Sequence, residues 1–477
     1  MRLQSHYLSI RRRAGILLLA ACVCVIITGC KYTAAPADLL GQPPISQDKL
    51  SLLQAIEHEL PAYSKLTVPL REDTLEAIRQ VDLDGDGRKE AVVTYYNEFG
   101  SPEVLALKLV NASWKPLSYI QQSLGRQIDW MKLQDMDGDG HTELLLGWIG
   151  SYDSPKWVEV YSLKRQPILN EAGQEVLEPS ASLPYSYVDT GDIDGDGKPE
   201  LAVISETPSM IEYMPPSSKL SIYNWAQGRL ELLTETSLER DVNGYERLVI
   251  GQVSAHHRGI AVEAGVGAHS SYTAMYAWMA ERLKLVYPRT PDMNGGVTGR
   301  PTIVEDINKD GILEINQNII INDHDNTIAY AESLWLNRWI QWDGREGFLP
   351  ILREFSDYGN LFQLRIPDSW KDTFLIRKPE DERYGLAVFS YFNPDSKHQA
   401  EVITIYVVPQ QAWDAVEGVW QKQTHPYHVL ERASGLVYAV RKATSSPESL
   451  TEQEREQWEA MRMSDKELER AYQLREE

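Results

Sequence analysis

Cysteine is almost absent from this chain of 477 residues. Its three cysteines are Cys22, Cys24 and Cys30, so all lie within the first 30 residues. The rest of the chain therefore forms no disulfide, although disulfides commonly reinforce proteins outside the cell. Its stability must come from packing or from bound metal.

Basic residues are also in short supply. The chain has 47 lysines and arginines against 69 aspartates and glutamates, which gives a net charge of −22. No basic patch with interleaved aromatic residues occurs in the sequence. Nucleic acid is therefore not expected as a partner.

Familiar catalytic motifs are missing as well. The sequence contains no H-E-x-x-H, no G-x-S-x-G and no P-loop. His256 and His257 are adjacent, but neighbouring strand or turn residues point apart and seldom share one metal ion. We predict no catalytic residue and no organic cofactor, and we do not expect an enzyme.

What the sequence does contain is one acidic nine-residue loop written four times, at residues 82–90, 135–143, 192–200 and 306–314. Oxygen-bearing side chains stand at loop positions 1, 3, 5 and 9, a pattern that suits Ca²⁺. Glycine at position 6 permits a sharp turn, and position 7 can offer its backbone carbonyl. The predicted ligands are Asp82, Asp84, Asp86, Arg88 (carbonyl) and Glu90; Asp135, Asp137, Asp139, His141 (carbonyl) and Glu143; Asp192, Asp194, Asp196, Lys198 (carbonyl) and Glu200; and Asp306, Asn308, Asp310, Ile312 (carbonyl) and Glu314. Four Ca²⁺ ions would reduce the net charge of −22 to about −14.

Two other interpretations of these loops are separable by spacing. An EF-hand needs a glutamate at position 12 and flanking helices. Position 12 holds Val93, Leu146, Val203 and Gln317, and the following residues favour β-strands. Solvated acidic turns are the second alternative, because Asp and Gly are common in turns. Four matches over nine residues favour a metal loop that joins the ends of two strands.

The intervals between loops indicate a repeat. Successive loops begin 53, 57 and 114 residues apart, and the last interval is twice 57. A fifth unit is therefore expected near residue 250, where Gly251–Val262 resembles Gly191–Val203 with its carboxylates lost. We predict that this unit keeps its strands and binds no metal. A period of 50 to 60 residues is typical of a propeller or solenoid.

Within each period, β-prone runs and turns suggest a four-stranded blade. Leu220–Trp225 with Leu230–Leu233 is one example, and Trp339–Trp342 with Phe348–Ile351 is another. The recurring Trp and Tyr residues fit either packing between sheets or a surface that stacks on carbohydrate. Packing is the favoured interpretation.

These loops resemble the FG-GAP (VCBS-type) repeats of integrin α-chains and of many bacterial surface proteins. The resemblance covers about residues 70 to 355, and it implies Ca²⁺ bound between two strands of each β-propeller blade. Five units are counted here, whereas the integrin domain has seven blades. The whole chain also resembles a group of uncharacterised lipoproteins from Gram-positive bacteria.

The amino terminus fits that second resemblance. Arg11–Arg13 form part of a basic region, and the apolar run Ala14–Ile27 is short for a transmembrane helix. Ile27-Thr28-Gly29-Cys30 is similar to a bacterial lipobox, which implies a signal peptide over residues 1–29 and lipidation of Cys30. An ordinary signal peptide or an uncleaved anchor is the alternative. Residues 30–46 are predicted to be a tether.

The flanks of the repeat region give a coarser prediction. Residues 47–69 are expected to form a short helix and a lead-in, and residues 356–477 a C-terminal α+β domain. Strands are predicted in this domain at 361–366, 386–389, 402–408 and 436–440. A helix is predicted at 411–420 and a charged helix over 452–477.

The sequence as a whole predicts a mainly β fold. It would consist of a β-propeller of about five four-stranded blades, four with Ca²⁺ loops, followed by the α+β domain. The predicted function is an extracytoplasmic binding or scaffolding module, held on the cell membrane through lipidated Cys30 and recognising a protein or glycan. The alternatives are a propeller enzyme acting on polysaccharide, or an auxiliary sensor subunit of a membrane complex.

Overall fold

A computed structural model describes residues 46–71, 76–122, 124–151, 154–209, 216–239, 241–289, 296–321, 333–380, 383–423 and 426–474. The predicted signal peptide, Cys30 and all of the tether before Ser46 lie outside these residues. The chain divides into two units. The smaller comprises residues up to Leu60 together with Leu109–Lys115, and the larger comprises Pro61–Lys108 and Pro116–Glu477.

Helix α1 (Gln47–Glu59) confirms the short helix predicted near the amino terminus. Ser46 caps it, because its hydroxyl accepts a hydrogen bond from the Lys49 N–H. The helix ends before Pro61, which cannot continue the hydrogen-bond pattern. Within the described ranges, no helix has the length and apolar character needed to cross a membrane.

Five mainly antiparallel sheets follow, here numbered I to V. Sheet I contains β1 (Lys65–Leu66), β2 (Ile78–Val81), β3 (Glu90–Tyr96), β4 (Pro102–Val110) and β5 (Ser113–Gln121). Sheet II contains β6 (Gln127–Gln134), β7 (Glu143–Ile149), β8 (Lys156–Tyr161) and β11 (Ala181–Tyr185), and the intervening hairpin of β9 (Ile168–Leu169) and β10 (Glu175–Val176) joins sheet I. Sheet III contains β12 (Tyr187–Gly191), β13 (Glu200–Thr207), β14 (Ser217–Ala226) and β15 (Arg229–Ser237). Sheet IV contains β16 (Gly244–Ser254), β17 (His257–Val266), β18 (Ser270–Trp278), β19 (Leu283–Tyr287) and β20 (Val297–Thr298).

Sheet V begins with β21 (Val304–Glu305), β22 (Glu314–Ile320), β23 (Trp335–Trp342) and β24 (Phe348–Asp357). Each of the five sheets therefore has at its centre a four-stranded antiparallel unit, as predicted from the repeat. The acidic loops connect the first and second strands of these units in sheets I, II, III and V. Every loop thus begins and ends at paired strand ends.

Sheets II, III and IV bury both of their faces against the neighbouring sheets. Leu144 and Leu146 of β7 join the core shared with sheet I, whereas Leu145 joins the core shared with sheet III. On β13, Leu201 points to sheet II and Ala202 to sheet IV. This alternation follows from the two-residue period of a strand, whose side chains point to opposite faces.

The recurring tryptophans are buried, and Trp225 and Trp342 belong to these cores. Trp225 and Trp339 are each 4 % exposed and Trp342 is 3 % exposed. Large aromatic side chains bury extensive apolar area and dominate cores of this kind. The packing interpretation is therefore confirmed for these tryptophans.

The C-terminal region confirms the predicted alternation of strands with one helix. It contains β25 (Phe362–Arg365), β26 (Phe374–Arg377), β27 (Gly385–Phe392), β28 (Gln399–Pro409), helix α2 (Trp413–Lys422), β29 (Tyr427–Ala433) and β30 (Leu436–Lys442). Strands β26 to β30 form sheet VI, and β25 extends sheet V. The predicted boundary at residues 355–356 falls inside β24, and sheets V and VI share one apolar core.

The single charged helix predicted over residues 452–477 is wrong. Helix α3 (Glu452–Ala460) is followed by α4 (Asp465–Ala471) and then by β31 (Tyr472–Leu474), which pairs with β25. Ser464 begins a second capping box and so starts a new helix. Trp458, Met461 and Leu468 of this charged segment are buried.

The mainly β class is confirmed, with FG-GAP-like alternation of loop and strand. The closure of sheets I to V into a propeller ring stays a prediction, as does the number of blades.

Candidate metal centres

The opening aspartate organises each acidic loop. Asp82 accepts hydrogen bonds from the N–H groups of Gly85 and Gly87, both at 2.8 Å. Asp135 repeats this with Gly138 and Gly140. In the last loop Asp306 accepts from Asp310 at 2.9 Å and from Gly311 at 2.8 Å, and in the third loop Asp192 accepts from Gly195 at 2.7 Å. These hydrogen bonds from backbone N–H groups to the position-1 carboxylate stabilise the turn of each loop without a bound ion.

Position 6 has the backbone geometry that the sequence predicts. Its glycines have φ angles of 81°, 88°, 88° and 87°, which lie in the left-handed region. A side chain there would strain the backbone, so glycine is the residue that fits. These glycines are Gly87, Gly140, Gly197 and Gly311.

The glutamate at position 9 closes each loop from inside the protein. Glu90, Glu143, Glu200 and Glu314 are at most 2 % exposed. In every case Oε2 accepts the N–H of position 2, over distances of 2.8, 3.1, 2.7 and 2.9 Å. The donors are Leu83, Met136, Ile193 and Ile307. One oxygen of each carboxylate is therefore fixed by the backbone.

The structure brings the carboxylates of positions 1, 3 and 9 together in three of the loops. One oxygen from each residue lies within 4.8 Å of the others in the clusters Asp82–Asp84–Glu90, Asp135–Asp137–Glu143 and Asp192–Asp194–Glu200. The fourth loop has Asn308 at position 3, whose amide donates to Asp310 Oδ2 at 3.0 Å. Positions 1, 3 and 9 thus converge in the first three loops, and their role as metal ligands stays a prediction.

Positions 5 and 7 interact with each other. The N–H of position 7 donates to the position-5 carboxylate at 2.7 to 2.9 Å in all four loops. The pairs are Arg88 with Asp86, His141 with Asp139, Lys198 with Asp196 and Ile312 with Asp310. A ligand role for the position-7 carbonyls stays a prediction.

Burial makes these carboxylates unfavourable as bare anions. Burial is the main cause that raises the pKa of Glu200 and of Glu314 to about 7, and neighbouring aspartates add to the shift. The pKa of Glu143 is raised for the same reasons. A bound cation would stabilise the ionised forms.

At the first three loops, three buried side-chain oxygens have no hydrogen-bond partner among the described residues. They are Asp84 Oδ1 in the first loop, where Lys108 contacts only the other oxygen of Asp84, Asp137 Oδ1 in the second loop, and Asn224 Oδ1 on the strand that pairs with the third unit's Glu200 strand. An unpaired buried acceptor is costly unless an ion or a water molecule satisfies it. Together with three converging carboxylates, these oxygens form a donor set that fits a hard cation such as Ca²⁺.

One class of residue near the loops was missed by the sequence analysis. The position-9 glutamate begins the strand that follows each loop. The next strand along the chain pairs with it and places a side chain opposite the glutamate. Ser162 donates its hydroxyl to Glu143 Oε1 at 3.1 Å, and the Gln341 amide donates to Glu314 Oε1 at 2.7 Å. The other two are Lys108 and Asn224. The register between strands identifies these positions, and it is not visible from loop spacing alone.

The fourth unit retains its strands, as predicted. Strands β16 and β17 form a hairpin whose last pair is Ser254 with His257. His257 Nδ1 lies 2.9 Å from Ser254 Oγ, and its ring centroid lies 5.1 Å from that of Trp342. The side chain of His257 is therefore committed to packing and to a hydrogen bond. The absence of metal from this unit stays a prediction.

A separate charged cluster surrounds Asp129, which is 2 % exposed. It accepts hydrogen bonds from Lys156 Nζ at 2.9 Å, Arg71 Nη2 at 3.0 Å and Tyr185 Oη at 2.6 Å. Burial acts to raise the pKa of Asp129, but Tyr185, Lys156 and Arg71 together hold it below its usual range. The carboxylate is fully engaged, so the cluster is built as a stable ion network.

Comparison with known proteins identifies the repeat. Residues 135–203 match the FG-GAP-like repeat family model, and they include the second and third acidic loops. No curated protein sequence matches the chain. Among solved structures, the chain is similar to rhamnogalacturonan lyase PL11 of Bacillus licheniformis, with 12 % identity, a TM-score of 0.28, and 68 % of this chain and 71 % of that chain covered. It is also similar to the exotype rhamnogalacturonan lyase YesX, with 12 % identity, a TM-score of 0.23, and coverage of 73 % and 75 %.

Proposed function

We propose that the FG-GAP-like repeats form a Ca²⁺-stabilised β-propeller that serves as an extracytoplasmic binding or scaffolding module on the cell membrane. The observation that carries this proposal is the repetition of one carboxylate cluster at the same place in sheets I, II and III. Residues with the same spacing follow in sheet V.

The proposed role of the ion is structural. The residues at positions 1, 3, 5 and 9 would hold Ca²⁺ and join the ends of two neighbouring strands. Bound Ca²⁺ would supply positive charge that offsets the mutual repulsion of the loop carboxylates. The chain's own hydrogen bonds from positions 2 and 7 would orient the ligands.

The propeller itself is supported by the consecutive cores between sheets I and II, II and III, III and IV, and IV and V. About five blades are proposed. Attachment to the membrane is proposed from the lipobox-like sequence that ends at Cys30, and the partner would be a protein or a glycan.

Affinity capture provides the functional test. The intact tagged protein, solubilised from membranes in mild detergent, would be used as bait with 2 mM Ca²⁺ or with chelator. We expect the same partner on the bait in Ca²⁺ and its loss in chelator. A variant with alanine at Asp137 and Asp194 is the matched control, and it should behave in Ca²⁺ like the wild type in chelator. A partner that stays bound equally under all three conditions would contradict the proposal.

The enzyme alternative is tested separately. Purified protein would be incubated with a panel of acidic and neutral polysaccharides, and new reducing ends and unsaturated products would be measured. We expect neither. Chain cleavage that survives full purification would replace the binding module with the polysaccharide-acting alternative.

A further inference from the structure

Lys108 on β4 lies among the carboxylates of the first acidic loop. Its ammonium donates hydrogen bonds to Asp84 and, at 2.8 Å, to Asp86, and it lies 3.7 Å from Glu90 Oε1. The lysine side chain is 22 % exposed, so most of it is withdrawn from water. The cation thus contacts residues at positions 3, 5 and 9 at once.

The equivalent strand position is neutral in the other acidic loops. It is held by Ser162, Asn224 and Gln341, and in the fourth unit Ala277 pairs with Gly259. A hydroxyl or an amide can turn an oxygen towards a metal ion, whereas an ammonium has only donors. Lys108 is therefore the exception in chemistry as well as in charge.

Lys164 shows what a less committed lysine does near the second loop. Its ammonium contacts Asp139, the carboxylate at position 5. The side chain of Lys164 is 41 % exposed, about twice the exposure of Lys108. Within the described part of the chain, Lys164 forms an ion pair with Asp139 and with neither Asp137 nor Glu143. Lys164 thus contacts one carboxylate of its loop, whereas Lys108 contacts three.

The position and charge of Lys108 determine whether a divalent cation can bind in the first loop. A divalent cation placed among Asp84, Asp86 and Glu90 would lie within a few ångströms of the Lys108 ammonium, and like charges at such distances repel strongly. Binding would require the lysine to leave and lose its hydrogen bonds. Lys108 and Asp84 are 22 % and 29 % exposed, so that loss is larger than for a fully solvated surface pair.

We propose that Lys108 is the built-in cation of the first loop, so that this loop takes no Ca²⁺ while the other three loops are filled. This inference rests on the proposed Ca²⁺-stabilised propeller. The first unit would then hold its loop together without external metal. Sensitivity to Ca²⁺ would be confined to the second, third and fifth units.

Counting ions in the intact chain tests the proposal. The protein would be purified in detergent, equilibrated with about 1 mM Ca²⁺ by dialysis, and analysed for calcium per chain. We expect three ions for the wild type and four for Lys108→Gln, which copies Gln341. The reverse exchange, Gln341→Lys, should leave two, and Lys164→Gln should leave three.

A second pair of variants does not depend on the folding of Lys108→Gln. Asp84→Ala should leave the count at three, whereas Asp137→Ala at the same position of the second loop should lower it to two. Four ions in the wild type, or the loss of one ion in Asp84→Ala, would overturn the inference about Lys108 alone. No calcium in the wild type or in any variant would overturn the proposed Ca²⁺-stabilised function and this inference with it.

Discussion

Arg258 of the fourth unit donates its Nε–H to the carbonyl oxygen of Asp192, the first residue of the third acidic loop, at 2.6 Å. Arg258 precedes Gly259, the residue that takes the place of the position-9 glutamate, and so it corresponds to loop position 8. Thr142 at position 8 of the second loop likewise donates its hydroxyl to the Asp82 carbonyl at 2.8 Å. Leu313 donates its N–H to the carbonyl of Gln252, again at 2.8 Å.

In three cases, therefore, the residue at position 8 of one unit donates a hydrogen bond to a backbone carbonyl at the start of the equivalent loop or turn in the preceding unit. Pro199 stands at this position in the third loop and has no N–H to donate. The loops are therefore linked from unit to unit rather than independent. The fourth unit has lost its carboxylates but still supports the loop before it.

Removal of the charge at Arg258 should strengthen Ca²⁺ binding by the third loop. Arg258 Nε lies 3.4 Å from Asp192 Oδ2, so the guanidinium competes electrostatically with a cation in that loop. We expect Arg258→Met to raise the affinity of one site several-fold, equivalent to about 1 kcal/mol. Calorimetric Ca²⁺ titration would measure it. Arg258→Lys keeps the charge and should bind as the wild type does, whereas weaker binding by Arg258→Met would show that the hydrogen bond matters more than the charge.

Most of the loop geometry was predictable because it is local. Asp82, Gly87 and Glu90 lie within nine residues, and their conformations follow from turn chemistry and the adjoining strands. The alternation of Leu144, Leu145 and Leu146 between two cores also follows from strand periodicity. A repeat multiplies such local signals, so the position of the degenerate fourth unit could be predicted as well.

Contacts between distant residues were not predictable in the same way. Lys108 faces Glu90 because of the register between two strands, and no spacing rule identifies that partner in advance. The C-terminal β31 pairs with β25, which lies about 110 residues earlier. Helical periodicity alone did not reveal that Tyr472 leaves the helix, because an edge strand outweighed local propensity there.

Ionised Glu454 should stabilise the folded protein at neutral pH, and this contribution to the free energy of unfolding should decrease in acid. Its carboxylate accepts hydrogen bonds from His398 Nδ1 at 2.9 Å, Ser396 Oγ at 2.7 Å and the Thr451 N–H at 2.9 Å. These bonds, that from His398 first, hold the pKa of Glu454 well below its ordinary value of 4.5. Because the folded-state pKa is depressed, the stabilisation is complete above the unfolded pKa of 4.5 and is lost as the pH falls below it.

The test compares Glu454→Gln with the wild type in urea unfolding from pH 7 to pH 3. We expect the variant to be less stable at pH 7, and the difference in the free energy of unfolding to shrink below about pH 4.5. Glu452→Gln changes an exposed glutamate of the same helix and should show neither effect. A difference that stays constant across this range would mean that Glu454 acts through packing rather than charge.

Lipidation is predicted to depend on Cys30 alone. A diacylglyceryl group provides two acyl chains, which is what stable membrane attachment requires. Cells grown with labelled palmitate should yield labelled wild-type protein and unlabelled Cys30→Ala. Cys24→Ala is the matched control, because Cys24 lies in the expected signal peptide and its loss should leave the label in place. Label on Cys30→Ala, or free release of the wild type into the medium, would rule out the lipoprotein assignment.

Chelation of Ca²⁺ should lower the thermal stability of the larger unit. Extracellular calcium modules often bind with dissociation constants of about 10⁻⁴ M. At about 1 mM Ca²⁺ each such site stabilises the native state by RT ln(1 + 10), which is about 1.4 kcal/mol. Three sites would contribute about 4 kcal/mol, a large fraction of the stability of a typical domain.

One cooperative transition is expected, because β31 completes sheet V and sheets V and VI share a core. Differential scanning calorimetry in Ca²⁺ and in chelator would measure the shift in melting temperature. Asp194→Ala removes the position-3 ligand of the third loop and should lose about 1.4 kcal/mol, in Ca²⁺ only. Asp194→Asn places at position 3 of the third loop the residue type that the fourth loop has there, Asn308. This variant should retain part of the stabilisation by Ca²⁺. Identical melting curves in Ca²⁺ and in chelator, with no heat on titration, would reduce the four loops to acidic turns.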